Sequence, residues 1–187
     1  MRAAREVFSE RGYDGATFQA IAVRADLTRP AINHYFSSKR LLYCEVVEQT
    51  NELVVMTGIE HARRVTSLMG RLAEFISVAM RAHTENPSVS AFLVTAVLES
   101  QRHPELNRSE NDAVAISREF LNWAVEDAIK RGELKTDTDV PSLAETLLIV
   151  VCGVGFYAGY LRNYQEMQAV TATLRHLLEG AFWEHGD

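Results

Sequence analysis

The stretch from Leu27 to Tyr43, LTRPAINHYFSSKRLLY, concentrates side chains suited to hydrogen bonding and charge pairing rather than to making or breaking bonds. The guanidinium of Arg29 can donate two parallel hydrogen bonds to a guanine edge, and the amide of Asn33 can pair with adenine in a similar way. Lys39 offers a point charge to a phosphate. The residues that would form such a DNA-contacting surface are Thr17, Gln19, Thr28, Arg29, Pro30, Ala31, Asn33, His34, Tyr35 and Lys39.

Elsewhere the sequence offers little that would catalyse a reaction or hold a metal. No nucleophile stands beside a base in a recognisable pattern, and the two cysteines, Cys44 and Cys152, are far apart. Glu99 and His103 have the i, i+4 spacing of two metal ligands on one helix, but no third ligand is evident. We therefore expect no catalytic residue, no bound metal and no cofactor.

One short motif suggests a different class of protein. Gly153, Gly155 and Ala158 fit the Gly-x-Gly-x-x-Ala fingerprint of a dinucleotide-binding turn. That fingerprint needs a βαβ unit with further parallel strands, and only about thirty residues follow it. Glycines that let a neighbouring helix approach closely are the favoured interpretation, and a dinucleotide-dependent oxidoreductase is an alternative.

Helix signals define the elements that must position the first group of side chains. Thr17 and Thr28 stand where N-caps are expected, and Pro30 lies in a first turn, where its missing N–H costs nothing. Asp26 lies in the turn between the two helices and tolerates a left-handed backbone. Two short helices behind a supporting first helix make a helix-turn-helix, whose second helix enters the major groove of DNA. A plain helical hairpin with solvated polar side chains is the alternative that these residues leave open.

The remainder of the chain has the periodicity of amphipathic and buried helices, without an alternating strand pattern. Asn86-Pro87 and His103-Pro104 end helices, because a residue before proline leaves the helical region. The predicted fold is all-α, with about nine helices. The most apolar stretch, Leu147 to Leu161, falls short of the ~20 residues that a spanning helix needs. We therefore expect a buried helix of a soluble protein there, and no membrane partner.

Charge is distributed unevenly along the sequence. The 187 residues have a formal net charge of -6, yet Met1 to Glu45 contains seven Lys and Arg against five Asp and Glu. The remainder contains 12 against 20. A cationic first segment on an acidic body suggests that only the first segment meets a polyanion. Unpaired cysteines and an N-terminus without an apolar signal core predict a reducing, cytoplasmic location.

The stretch VFSERGYDGATFQAIAVRADLTRPAINHYFSSKRLLY resembles the DNA-binding segment of the TetR family of transcriptional regulators. Asp26 stands where the family commonly has glycine, and Asn33 where it often has tyrosine, so operator preference cannot be carried over. The resemblance covers roughly the first 45 residues. The matching residues are Phe8, Gly12, Tyr13, Thr17, Ile21, Ala22, Ala25, Thr28, Ile32, Tyr35, Phe36, Ser38, Lys39, Leu41 and Leu42.

This resemblance implies two domains: a helix-turn-helix head at residues 1–45 and a helical ligand-binding and dimerisation body at residues 46–187. It also implies an Ω-shaped homodimer that represses transcription at a palindromic operator and is released by an unidentified small molecule. The competing interpretation is a helical small-molecule-binding protein or enzyme whose helix-turn-helix does not function. In the family the last two helices form a four-helix bundle with the partner, and the candidates here are Leu147, Val151, Val154, Ala158, Val170, Leu174, Leu178 and Ala181.

A ligand cavity is expected in the body, since small-molecule sites are usually apolar with a few polar anchors. Aromatic and polar side chains on the predicted helices of the body are the candidates. For each of them an ordinary place in the core is the alternative. They are Phe75, His83, Phe92, Thr95, Glu99, His103, Phe120, Trp123, Tyr157 and Tyr160.

Overall fold

The computed structural model of the protein describes residues 1–106, 112–160, 169–170, 172–174 and 176. In this part of the chain every regular element is helical and no strand is present, which confirms the all-α prediction. A π-helical stretch, Glu52–Met56, joins α4 to α5, and a 3-10 turn, Pro104–Leu106, follows α7. The α-helices are α1 (Arg2–Gly15), α2 (Phe18–Arg24), α3 (Arg29–Tyr35), α4 (Lys39–Asn51), α5 (Thr57–Arg63), α6 (Leu68–Glu85), α7 (Ser88–Arg102), α8 (Ala113–Lys130) and α9 (Val140–Tyr160).

The short helices of the head begin where their capping side chains predict. The hydroxyl of Thr17 accepts a hydrogen bond from the N–H of Ala20 at 3.1 Å, and the hydroxyl of Thr28 accepts one from Ala31 at 3.3 Å. Asp26, in the turn between α2 and α3, has a φ of 53°. The predicted helix-turn-helix geometry is thus confirmed at both caps and at the left-handed turn.

Helix α1 is interrupted at Gly12, where φ is 68° and ψ is -179°. This combination is open almost only to glycine, because any Cβ would clash with the backbone. The sequence predicts that the helix stops here. Instead the chain kinks and continues to Gly15, which leaves the backbone N–H of Tyr13 free to bond outside its own helix.

The core of the head extends into the body. The rings of Phe8 and Tyr43 pack edge to face with centroids 5.0 Å apart, and Phe92 of α7 lies 6.5 and 5.6 Å from them. The predicted boundary between residues 45 and 46 falls inside α4, which Ser38 caps and which continues as helix to Arg63. Head and body therefore share an aromatic cluster and one continuous helical rod.

Helix α9 packs against α6, α7 and α8 with only one face. Leu147 and Ala158 are buried in the body core, whereas Phe156 and Tyr160 on the opposite face are 60% and 74% exposed. The prediction of a buried helix is therefore wrong for half of its circumference, because the described part of the chain covers only the other half. The helix begins earlier than the apolar stretch suggests, and Val140–Ala158 is long and apolar enough to cross a membrane by length and composition alone.

Candidate nucleic-acid interface and ligand cavity

The outer edge of α3 is open to solvent. Arg29 and Asn33 are exposed one turn apart, while Ile32 on the opposite face is buried in the head core. The buried side fixes the helix to its scaffold, so the outer side chains are presented on a rigid element. Of the other predicted DNA contacts, Lys39 is half-buried, Ala31 is half-buried, and the exposed ones are Thr17, Gln19, Thr28, Pro30, His34 and Tyr35.

The arginines of the head differ in what they already bind. Arg24 donates to the two carboxylate oxygens of Glu10 at 2.9 and 2.7 Å and to Glu6 at 3.2 Å. The hydrogen bond from Arg24 holds the pKa of Glu10 below its usual range. Arg29 has no hydrogen-bond or ion-pair partner among the described residues. All the N–H donors of the Arg29 guanidinium are thus available to another molecule.

Lys39 has an intramolecular role that the sequence does not reveal. Its ammonium donates to the backbone carbonyls of Tyr13 at 2.7 Å and Asp14 at 3.3 Å, and it lies 4.4 Å from the centroid of the Tyr13 ring. The last carbonyls of a helix lack partners within it and attract cations. An ammonium has a third donor, so this arrangement leaves one N–H for a phosphate.

Glu99 and His103 were predicted to belong to a ligand pocket, but they lie at the head–body junction and do not line the body cavity described below. Glu99 is buried and accepts a hydrogen bond from the N–H of Tyr13 at 3.3 Å. The Nε2 atom of His103 lies 3.2 Å from a carboxylate oxygen of Asp14 and 3.6 Å from one of Glu99, and its Nδ1 lies 3.3 Å from Glu105. The physical reason is that the end of α7 packs against the kink of α1.

Three further pocket candidates also lie elsewhere in the structure. Phe92 belongs to the aromatic cluster of the head, and the hydroxyl of Thr95 donates to the carbonyl of Ala91 in its own helix. His83 is buried outside the cavity lining, and its Nδ1 atom has no partner among the described residues. Burial lowers the pKa of His83, because the charged form is poorly solvated there.

Four of the remaining aromatic candidates are also outside the cavity. Phe120 is buried in the body core, where its ring stacks on Phe75 with centroids 5.9 Å apart. The ring of Trp123 is covered by the guanidinium of Arg71, 4.5 Å from its centroid. Tyr157 and Tyr160 are exposed on α9. Phe75 alone among the pocket candidates lines the cavity.

The cavity lies in the body, between the π-helical stretch and helices α6 to α9, and has a volume of about 300 Å³. No charged side chain is found among its described lining residues. A neighbouring cavity of about 310 Å³, between α4, α7 and α8, has Asp112 and Arg118 in its lining. The first cavity is lined by Val54, Val55, Phe75, Ile76, Ala79, Met80, Ser90, Leu93, Val94, Val97, Leu98, Ala113, Val114, Ser117, Val151, Cys152, Val154, Gly155, Phe156 and Ala158.

The predicted dimer residues of α9 face the interior of the chain. Leu147, Val154 and Ala158 are buried in the body core and Val151 is half-buried against it. Helical spacing explains the difference, because the sequence shows the stripes of an apolar helix but not which stripe meets its own chain. In the following segment Val170 is exposed, Leu174 packs against the core, and Leu178 and Ala181 lie outside the described residues.

A different stripe of α9 is left exposed. Ile149, Cys152, Gly153, Phe156 and Tyr160 follow one another at helical spacing and are all exposed. A Cβ built on Gly153 meets nothing within 4 Å. We call these five residues the α9 stripe.

The described residues do not have the geometry that a metal site or a dinucleotide-binding turn requires. Among the described residues no group of three His, Cys, Asp or Glu side chains is placed to hold a metal ion. Gly153, Gly155 and Ala158 lie inside α9 rather than after a strand. The dinucleotide interpretation is therefore wrong, since its turn must connect a strand to a helix.

Comparison with known proteins gives two family matches. Residues 1–46 match the model of bacterial regulatory proteins of the tetR family. Residues 69–174 match that of the tetracyclin repressor-like C-terminal domain. The HTH-type transcriptional regulator UidR of Escherichia coli K12 is 24% identical over 154 residues, which cover 82% of this chain and 76% of UidR.

Two solved structures have the same fold. A cysteine mutant of the TetR family regulator CifR, complexed with 26-base-pair operator DNA, has a TM-score of 0.74 at 20% identity, covering 94% of this chain and 92% of that one. The regulator FadR from Bacillus subtilis, in complex with stearoyl-CoA, has a TM-score of 0.74 at 21% identity and covers 94% of each chain.

Proposed function

The chain belongs to the TetR family of DNA-binding transcriptional regulators, and on that premise we propose that it is a cytoplasmic repressor. It binds a palindromic operator as a homodimer and is released when a small molecule occupies the body. The exposed edge of α3 carries this proposal, because Arg29 and Asn33 stand on it unobstructed.

We assign the recognition of DNA bases to two side chains of α3. The unpaired fork of Arg29 suits a guanine edge and the amide of Asn33 suits adenine, each with a discrimination of ~1–3 kcal/mol. Thr17, Thr28, Tyr35 and the remaining donor of Lys39 supply phosphate contacts, which position the head without reading sequence. The same phosphate contacts make the affinity fall steeply with salt.

The second copy of the chain is placed on the α9 stripe. Ile149, Phe156 and Tyr160 are 68%, 60% and 74% exposed there, a row of large apolar side chains that a soluble regulator must cover. The open surface at Gly153 allows a partner helix to approach closely. Two copies related by a two-fold axis present two heads to an inverted repeat, with half-sites ~34–36 Å apart.

Release is assigned to α7, because this helix touches both the cavity and the head. Its residues Ser90, Leu93 and Leu98 line the cavity, while Phe92 and Glu99 contact the head. A ligand that repositions α7 therefore repositions α1, and with it the spacing of the two reading helices. The ligand must bind the released state with the lower free energy, since equal affinity would shift nothing.

The test is a selection of duplexes from random DNA by the full chain. An inverted repeat is expected, and Asn33→Ala should relax the preference at one base pair in each half. Lys135→Ala, which removes an exposed cation of the body, is the control for charge alone. A reporter placed behind the selected operator distinguishes repression from activation. If no duplex pool is bound tightly at low salt, the result would favour a small-molecule-binding protein with a non-functional helix-turn-helix.

A further inference from the structure

The size and lining of the cavity restrict what it can hold. It measures about 300 Å³, and its described lining is aliphatic and aromatic, without a carboxylate, ammonium, guanidinium or imidazole. An apolar cavity of ~150 Å³ accommodates benzene, so by proportion this one takes a molecule of roughly twelve non-hydrogen atoms. An ionic group inside would lose its hydration without gaining a counter-charge.

Two hydroxyl groups interrupt this apolar wall. Ser90 on α7 and Ser117 on α8 both line the cavity, and each residue is only 6% exposed. The hydroxyl of Thr50, which is also buried, donates to the carbonyl of Val46 at 2.6 Å. Neither Ser90 nor Ser117 has a hydrogen-bond partner within the described part of the chain. Both residues line the cavity, so a bound molecule can supply the partner that each hydroxyl lacks.

We propose that this cavity binds an uncharged, mainly apolar molecule of roughly twelve non-hydrogen atoms, whose polar oxygen accepts hydrogen bonds from Ser90 and Ser117. The proposal deepens the proposed function and rests on it, because the bound molecule is the effector that releases the operator. A carbonyl oxygen suits this site best, since it has two lone pairs and no proton that would itself need an acceptor. Carboxylates and phosphate-bearing carriers are disfavoured, because no cationic side chain is among the described residues that line this cavity.

Calorimetric titration of the full chain with three ten-carbon probes tests the ligand class. The probes are 2-decanone, decanoate and decanoyl-CoA, which share an alkyl chain and differ in the charge of the head group. We expect 2-decanone to bind, decanoate to bind at least roughly tenfold more weakly, and decanoyl-CoA to bind more weakly still. Failure of 2-decanone to bind, or tighter binding of either anion, overturns the proposal.

Serine variants test the hydrogen bonds. Ser90→Ala and Ser117→Ala should each weaken 2-decanone binding by roughly two- to tenfold. Ser100→Ala is the matched control on α7, because its hydroxyl donates to the carbonyl of Val97 in its own helix. The ligand-free variants at Ser90 and Ser117 should be as stable as the parent or more so, whereas a structural hydroxyl would lower stability when removed. An unchanged affinity in the double variant overturns the assignment of these serines.

Measuring operator binding by the parent protein and the serine variants distinguishes a failure of this ligand proposal from a failure of the proposed function. If a selected duplex is bound and only a charged compound releases it, the ligand class is wrong and the proposed function stands. If 2-decanone binds through the serines but no duplex is ever bound, the ligand class stands and the proposed function fails.

Discussion

The carboxylate of Glu99, buried near the end of α7, accepts a hydrogen bond from the backbone N–H of Tyr13 across the head–body junction at 3.3 Å. This N–H is available because α1 is kinked at Gly12. Nine residues before Glu99, Ser90 of the same helix lines the cavity. One helix therefore carries a cavity wall and a direct contact with the DNA-binding head.

Replacing Gly12 should weaken this junction. A Cβ at Gly12 would lie 2.7 Å from Glu99 Oε1 and would also be strained at a φ of +68°. We expect Gly12→Ala to lower the free energy of unfolding by about 1–3 kcal/mol, measured by urea denaturation. Gly132→Ala is the control, since Gly132 has a φ of +73° with nothing within 4 Å of its built Cβ. An equal loss in both variants would mean that contact with Glu99 contributes nothing beyond backbone strain.

Replacing Lys39 should lower the stability of the fold, whereas replacing Arg29 should change the DNA sequence preference. Lys39→Ala leaves the carbonyls of Tyr13 and Asp14 without their cation, and should lower the free energy of unfolding by about 1–3 kcal/mol. Arg29→Ala should change stability by less than about 0.5 kcal/mol, because Arg29 has no described partner. Arg29→Ala should instead lose preference at one base pair, whereas Lys39→Ala weakens binding to all duplexes alike. Urea denaturation and operator titrations measure the two effects, and a destabilised Arg29→Ala protein would contradict the assignment.

A charge placed on the α9 stripe should dissociate the proposed dimer. Ile149 is 68% exposed and does not line the cavity, so Ile149→Glu tests the interface without altering the ligand site. Burying an unpaired carboxylate between two apolar helices costs several kcal/mol, and sedimentation velocity should show a monomer. Leu53→Glu is the control, since Leu53 is 46% exposed outside the stripe. A dimer that survives Ile149→Glu would place the interface elsewhere.

Stability should depend on pH through His83. Burial holds the pKa of His83 below its ordinary value of 6.5 in the folded protein. Below pH 6.5 the unfolded chain therefore binds a proton that the folded chain does not, so stability falls as the pH drops toward the folded pKa. His83→Leu should remove this part of the pH dependence, measured as the difference in unfolding free energy between pH 7.5 and 5.5. Identical pH dependences in parent and variant would refute the assignment.

Local features of the head were readable from the sequence because a few neighbouring atoms decide them. Thr17 and Thr28 cap helices through a hydroxyl that reaches an N–H three residues on, and Asp26 tolerates the left-handed turn. The interior face containing Ile32 followed from helical periodicity in the same way. These are properties of short segments, and long-range packing did not override them.

The body was predicted less well because its helices are apolar on more than one side. On α7, Phe92 and Glu99 meet the head while Leu93 and Leu98 meet the cavity, and sequence periodicity does not say which neighbour lies where. The pocket candidates were chosen because they are aromatic or ionisable, and most of these residues lie at the head–body junction or in the body core. Ser90 and Ser117 gave no signal, because a small hydroxyl in an apolar helix usually bonds its own backbone.

The π-helical stretch Glu52–Met56 connects the head to the wall of the cavity. It lies in the rod that joins α4 to α5, and its residues Val54 and Val55 line the cavity. One residue corresponds to about 100° of rotation and about 1.5 Å of rise along an α-helix, so regularising this widened turn would twist α4 about its own axis relative to α5. The widened turn that contributes Val54 and Val55 to the cavity wall therefore also determines how α4, which leads into the head, is rotated relative to α5.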